Sequence, residues 1–324
     1  VIGIADIEAA AKRLAHVAVK TPLLQNAELD LVAGGKVLVK PECFQGIGSF
    51  KIRGAYNLMS QLSPEQAKRG VVAWSSGNHA QGVALAGKLL GIHAAIVMPE
   101  DAPSSKLENT RKLGGEIITY DRYSGDREAI ARGIAAERGA EIVPSYDEPR
   151  IVAGQGTVGL EIAEQSLELG LPVDQVLINC GGGGLASGSA IALRARLPES
   201  RIYTVEPEEF DDTARSLVCG ERVKIRENMH SICDALLSEM PGQLPFEIMS
   251  ELVTGGLTVS DVEVKEAMRF AFKHFKIVVE PGGAVGLAAV LTGKVETAGK
   301  TTAIIFSGGN VDVEQFAQIQ TERT

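Results

Sequence analysis

The segment SFKIRGA, residues 49–55, sets Lys51 between an aromatic ring and a β-branched side chain, with Arg53 two places on. A lysine amine attacks a carbonyl only when neutral, and its ordinary pKa is about 10.4. Burial and a neighbouring cation both lower that value, and Arg53 is a candidate for such a cation. Phe50 adds a ring that can pack on a planar cofactor or on the core. A solvated lysine at a helix start is the competing reading, and the segment alone leaves both open.

Three further loops hold more polar groups than folding requires. GGGGL (181–185) follows QVLINC and precedes ASGSAIALRARL. Four successive glycines cost backbone entropy. They are tolerable where bare N–H groups converge on an anion at the positive end of the next helix. A single phosphomonoester suits this loop, which has neither the GK[ST] of a Walker loop nor a spaced GxGxxG. A tight turn with close helix–sheet packing is the alternative.

SSGNHAQG (75–82) also leaves a strand and enters a helix. Ser75 or Ser76 is expected to cap that helix, whose free amides suit a carboxylate. Ser76 as a cap alone, with His79 a satisfied buried imidazole, explains the segment too. SGGN (307–310) follows the apolar run TTAIIF. Ser307 there is placed to bond a ring nitrogen, although an ordinary strand–turn accounts for it equally.

Elements able to hold such loops recur along the chain. VLVK (37–40), VVAWS (71–75), AAIVMP (94–99), EIITY (116–120), QVLINC (175–180), RIYTVE (201–206) and TTAIIFS (301–307) are short β-branched runs between amphipathic stretches. Several are apolar on both faces, as parallel strands covered by helices are. HAQGVALAGKLLG reads as a helix stopped by Gly91. The pattern predicts an α/β fold. The chain has 324 residues, more than single cores of up to about 250–300 residues usually hold, so two domains are expected. We expect a large domain of 1–69 and 148–324 around a small domain of 70–147, with a contiguous split as the alternative. The 36 glycines among 324 residues exceed the average usage of about 7%, and many stand at strand ends, where α/β proteins place ligands.

Net charge is -9, and no Lys/Arg-rich block occurs. Binding to nucleic acid is therefore not expected, since affinity for a phosphate backbone needs clustered positive charge. Cys43, Cys180, Cys219 and Cys233 have no CxxC spacing and read as reduced thiols, as in a cytoplasmic protein. No run of eighteen apolar residues occurs, and VIGIADIEAAAKRL lacks a basic leader. Neither a membrane span nor a signal peptide is expected.

SFKIRGA, SSGNHAQG, AGQGTVGLEI, GGGGLASG and SGGNVD stand in the order found in pyridoxal-phosphate enzymes of the tryptophan-synthase β fold type, fold type II. The chain resembles that family over essentially its whole length, and within it the serine racemases, the serine/threonine dehydratases and the 3-hydroxyaspartate dehydratases. The resemblance implies two open, mostly parallel-sheet domains. It implies that Lys51 is joined to the aldehyde of pyridoxal phosphate, with Phe50 against the ring. Asn78 would bond the cofactor's 3-hydroxyl and Ser307 its pyridine nitrogen. The amides of Gly181, Gly182, Gly183, Gly184 and Leu185 would hold the phosphate. Ser75, Asn78 and His79 look like the substrate α-carboxylate site. Ser76 resembles the second acid/base, facing Lys51 from the opposite side.

VEPEEFDD resembles a site for Mg²⁺, or Ca²⁺ or Mn²⁺, built from Glu206, the Phe210 carbonyl and Asp212. Those are hard oxygen donors, and a solvated acidic turn is the alternative. Arg127 in YSGDREAI matches an arginine that reaches toward a second substrate carboxylate; a helix-surface arginine is the alternative. Two departures stand out. Cys233-Asp234-Ala235 replaces the relatives' ADG, and Trp74 precedes the double serine where serine racemase has histidine.

The expected activity is that of a dehydratase (ammonia-lyase) turning L-serine, L-threonine or 3-hydroxyaspartate into a 2-oxo acid and ammonia. A serine- or aspartate-type racemase with side dehydratase activity is the rival. A silent binding scaffold is disfavoured by the intact Lys51. A small-molecule amino acid is the expected partner, and a homodimer or homotetramer the expected assembly.

Overall fold

A computed structural model describes residues 2–102, 104–121 and 125–322. Among these, nine strands form two sheets: β1 Lys36–Lys40, β2 Val71–Trp74, β3 Ala94–Pro99, β4 Glu116–Tyr120, β5 Glu141–Ile142, β6 Gln175–Asn179, β7 Arg201–Pro207, β8 Gly255–Val259 and β9 Thr301–Ile305. The larger sheet runs β1-β9-β6-β7-β8 and the smaller β4-β3-β2-β5. Neighbours within both sheets pair in parallel. Each of the seven β-branched runs contains a strand. Every residue of β3 and β6 is buried, because helices cover both sheet faces.

β5 and β8 lie outside the seven β-branched runs. β5 is only two residues long. β8, GGLTV, opens on two glycines and is strand through its register with β7, Tyr203 opposite Gly255. The helix Asn78–Leu90 stops as expected. Gly91 sits at φ +67° and returns its N–H to the Gly87 carbonyl, a conformation in which a side chain would be strained.

The smaller sheet is drawn from residues 71–142, yet its core also includes Ile52, Ala55, Leu58 and Met59 from the helix Lys51–Met59, together with Ile151. The motif AGQGTVGLEI lies inside the helix Pro149–Glu168. Its glycines bring that backbone against the helix Gly184–Arg196: a Cβ on Gly156 would stand 2.7 Å from the Gly188 carbonyl oxygen. Backbone contact of this kind fixes the helix that the four-glycine loop opens.

A buried ion network pins the start of the lysine helix. Arg53 Nε and Nη2 donate to the two oxygens of Glu42 at 2.7 and 2.9 Å. Arg53 Nη1 and Nη2 donate to Glu161 at 2.7 and 3.0 Å. Lys40 Nζ pairs with Glu161 Oε2 at 2.6 Å and donates to the Gln165 side chain at 2.9 Å. Arg53, Lys40 and Glu42 are fully buried. Burial alone would discharge the guanidinium; the Glu42 and Glu161 carboxylates outweigh it and hold its pKa above the ordinary value. Arg53→Met would leave two carboxylates against one lysine. We expect a loss of about 3–5 kcal/mol in urea unfolding; a loss under about 1 kcal/mol would mean that these charges are not desolvated.

Candidate active site

The loops singled out in the sequence gather at the carboxyl ends of the strands. SSGNHAQG leaves β2, GGGGL leaves β6 and SGGN follows β9. Ligands of open parallel sheets bind along that edge.

Lys51 is the first residue of its helix. Its Nζ donates to the Ser145 carbonyl at 3.0 Å and stands 5.3 Å from the centre of the Phe50 ring. Lys51 is half-exposed as a residue, but protein atoms crowd its amine. Burial lowers its pKa to about 8, against an opposing pull from Glu280. The expectation that Arg53 supplies the lowering charge is therefore corrected. Arg53 is turned into the network with Glu42 and Glu161, where its charge is compensated, and desolvation does the work instead.

At β2, the expected serine cap is also corrected. Gly77 is the N-cap residue and no side chain caps this helix. Ser75 Oγ instead accepts from the Gly77 amide at 3.2 Å. The first amides of the helix, at Asn78, His79 and Ala80, are left without intrahelical partners. His79 is buried, with Nε2 2.8 Å from the Val143 carbonyl and Nδ1 without a partner. Burial and the Lys51 charge push its pKa down to about 3. The ring is therefore neutral, and what His79 offers a carboxylate is its main-chain amide. Trp74 does not reach into the pocket as a loose ring; it packs in the small-sheet core with the Arg132 guanidinium 5.7 Å from the ring centre.

Asn78 ties the two sheets together. Its Nδ2 donates to Glu280 Oε1 at 2.6 Å, and its Oδ1 accepts from Asn310 Nδ2 at 2.7 Å. Glu280 carries no local signal of a place in the site, because an acid before Pro281 at the head of an apolar helix looks like a cap. It holds the N-cap position of that helix, but its side chain makes no cap hydrogen bond. It is buried, and burial with the nearby Asp234 raises its pKa to about 7. Ser307 is buried, and its Oγ accepts from Asn179 Nδ2 at 3.3 Å. Cys233-Asp234-Ala235 leads into a short turn whose Leu236 Cα lies 3.1 Å from where a Gly181 Cβ would stand.

In the glycine loop, Gly183 sits at φ +91° as N-cap of the helix Gly184–Arg196, again with no side-chain cap. The amides of Gly184 and Leu185 point out of a helix end with nothing in the helix to accept them. A Cβ at Gly182 would overlap the ring of Tyr146. Tyr146 was passed over because SYDEPRIVAGQG reads only as a polar crossing; an aromatic ring in such a crossing was the available signal.

Arg127 opens the helix Arg127–Arg138. It lines one small cavity with Ser75, Ser76 and Tyr120, so the structure brings it to the serine loop. Among the described residues, no group of three or more His, Cys, Asp or Glu side chains is placed to hold a metal. Glu206 and Asp212 form a smaller pair, both buried. Glu206 accepts from the Thr213 and Ala214 amides at 2.9 and 2.8 Å, and Asp212 Oδ2 has no partner. Burial, then the charge of Asp212, raises the Glu206 pKa well above its ordinary value.

Residues 15–308 match the family described as pyridoxal-phosphate dependent enzyme. The chain is 45% identical over 314 residues to an L-threo-3-hydroxyaspartate ammonia-lyase of a Pseudomonas species, covering 97% of each. It is 43% identical over 317 residues to a serine racemase of Schizosaccharomyces pombe, covering 98% of this chain and 97% of that one. Among solved structures, maize serine racemase superposes with a TM-score of 0.92 at 39% identity, covering 98% of this chain and 96% of that one.

The site suits that cofactor. A desolvated amine stands ready for an aldehyde, the uncapped glycine-loop helix offers amides to a phosphate, and the buried Asn179 Oδ1 lacks a partner beside Ser307. Lys51 has a lowered pKa, so its neutral fraction grows as pH rises toward that value and saturates above it. The rate at which cofactor-free protein takes up pyridoxal phosphate, followed by visible absorbance, should rise about tenfold per pH unit below the midpoint and level off near pH 8. A rate still climbing above pH 10, near the ordinary lysine value of about 10.4, would show that the amine is solvated.

Proposed function

The chain belongs to the pyridoxal-phosphate dependent enzymes, and from that premise we propose that it is an ammonia-lyase for β-hydroxy amino acids. Its substrates are L-serine, L-threonine and 3-hydroxyaspartate, the last favoured by Arg127. The observation that carries this reading is the cavity in which Arg127 meets Ser75 and Ser76. A guanidinium there offers a paired fork to a carboxylate that serine and threonine do not have. The similarity to an L-threo-3-hydroxyaspartate ammonia-lyase over nearly the whole chain supports it.

When bound, pyridoxal phosphate supplies an aldehyde that condenses with amines and a ring that takes up the electron pair of a broken Cα–H bond. The chain's own residues do the rest. Amides of Gly181, Gly182, Gly183, Gly184 and Leu185 would hold the phosphate. Ser307 would bond the ring nitrogen, Asn78 the 3-hydroxyl, and Phe50 would pack against the ring. Ser75 and the amides of Asn78 and His79 hold the substrate α-carboxylate. Lys51 Nζ, in its deprotonated form, takes the proton from Cα. The segment 70–147 acts as a small domain that closes over the substrate and excludes water. Its present links to the large domain include Asn78 to Glu280 and Lys106 to Asp234, each at 2.6 Å.

Racemisation is the second reading, and Ser76 favours it: a hydroxyl in the loop that also holds the substrate carboxylate could return a proton to Cα from the side opposite Lys51. Chiral analysis of recovered serine, alongside 2-oxo acid release, separates the two activities. An Mg²⁺ site at Glu206, the Phe210 carbonyl and Asp212 belongs to the same proposal, supported by the partnerless buried Asp212 Oδ2. So do cytoplasmic residence and assembly as a homodimer or homotetramer, the latter supported by the exposed Leu31, Val218 and Val313.

Two outcomes test this reading. Arg127→Ala should lower kcat/KM for 3-hydroxyaspartate about 100-fold, the scale of losing a paired charged contact, while serine turnover changes little. Equal losses on both substrates would remove Arg127 from substrate recognition. Millimolar Mg²⁺ should raise the thermal midpoint by about 3–5 °C, a response that Asp212→Asn abolishes. No rise in the unaltered protein would dismiss the ion.

A further inference from the structure

The tripeptide Ser145-Tyr146-Asp147, in the crossing between β5 and β6, touches three parts of the molecule at once. The Ser145 carbonyl accepts the Lys51 amine at 3.0 Å. The Tyr146 ring lies along the glycine loop: a Cβ on Gly182 would stand 2.2 Å from two of its ring carbons, and a Cβ on Gly184 would stand 2.9 Å from the tyrosine Cβ. The Asp147 carboxylate accepts from the amides of Gln243 and Leu244 at 2.9 and 3.0 Å. Those amides open the helix Gln243–Leu252, whose own N-cap residue, Gly242, has no side chain to offer them.

The glycines on the two sides of the ring are joined to each other. The Gly242 amide donates to the Gly182 carbonyl at 3.1 Å, and a Cβ on Gly242 would stand 2.9 Å from the other ring edge. The contacts therefore close a circuit, from Tyr146 to Gly182, on to Gly242 and its helix, and back to Asp147. Pro245 and Met249 of that helix close on Gly183 as well, 2.8 and 2.7 Å from where its Cβ would stand. Gly182, Gly184 and Gly242 are buried, and Tyr146 is half-buried.

Successive glycines have the most conformational freedom to lose, so a loop left to itself would lose part of its affinity for an anion to the ordering of its backbone. The circuit removes that freedom in advance. We propose that Tyr146 and Asp147 are positioning residues for the cofactor phosphate. The ring, wedged between Gly182 and Gly242 and anchored by Asp147 on the helix Gln243–Leu252, holds the glycine loop in its anion-binding form before the cofactor arrives. This assignment rests on the placing of the phosphate at the glycine loop given above. Neither side chain is itself a phosphate ligand; the two fix where the loop's amides point. The phenol hydroxyl has no part in this role.

The test compares the affinity of cofactor-free protein for pyridoxal phosphate with that for pyridoxal, which lacks the phosphate, each by titration of visible absorbance. Tyr146→Ala should weaken binding of pyridoxal phosphate about tenfold, the scale of ordering one backbone residue, and leave pyridoxal within about twofold. Tyr146→Phe, which keeps the ring, should match the unaltered protein with both compounds. Asp147→Ala removes the anchor alone and should shift the same ratio in the same direction, by at most about fivefold. If Tyr146→Ala does not fold, Asp147→Ala decides in its place. Equal losses with both compounds would make these residues general packing groups and overturn the assignment, as would an unchanged ratio. If the unaltered protein binds pyridoxal as tightly as pyridoxal phosphate, the glycine loop is not the phosphate site, and that reading falls together with this one.

Discussion

A lysine amine that must lose its charge stands two residues from a guanidinium that must keep one, and the fold is arranged to keep these requirements apart. Residues two apart on a helix do not share a face. Lys51 turns toward the cleft and the Ser145 carbonyl, while Arg53 turns inward to Glu42 and Glu161. Lys40 completes a balanced set of two cations and two carboxylates. Because the guanidinium is compensated at contact distance, little of its field reaches Lys51, and the amine is tuned by desolvation. Removing the network would release the helix start as well as the charge balance.

The same economy of charge appears elsewhere in the site. His79 is buried and neutral, and burial with the charge of Asp234 favours a proton on Glu280. The glycine loop likewise opens a helix with no side-chain cap, whose first amides suit an anion. A second side-chain cation beside Lys51 would depress its pKa further, and a fixed carboxylate would restore its proton. Helix ends and neutral hydroxyls hold anions without either effect.

Chemistry and selectivity fall on different residues. In the proposed reading Lys51, the glycine loop and Ser307 serve the cofactor, so they do not choose between ammonia release and racemisation. The proposed substrate preference acts instead through groups around the serine loop, where Arg127 lies with Ser75 and Ser76 in one cavity.

Local patterns carried far in this chain. The β-branched runs became strands, several of them, such as β3 and β6, apolar enough to bury both faces, and Gly91 ended its helix because only glycine takes that backbone without strain. The five motifs singled out loops that the fold gathers at the carboxyl ends of its strands, through residue types that are costly anywhere else. Tertiary structure alone decided where charges point. That Arg53 faces away from Lys51, that the Glu280 side chain accepts from Asn78 instead of capping its own helix, and that Gly77 takes the capping place offered to Ser75 and Ser76 all depend on partners more distant than local patterning can register. β8 owes its strand to β7, and the Tyr146 ring its place to the absence of a side chain on Gly182. Periodicity and turn chemistry are written in neighbouring residues, whereas the pairing and desolvation of a charge belong to chain segments that only folding brings into contact.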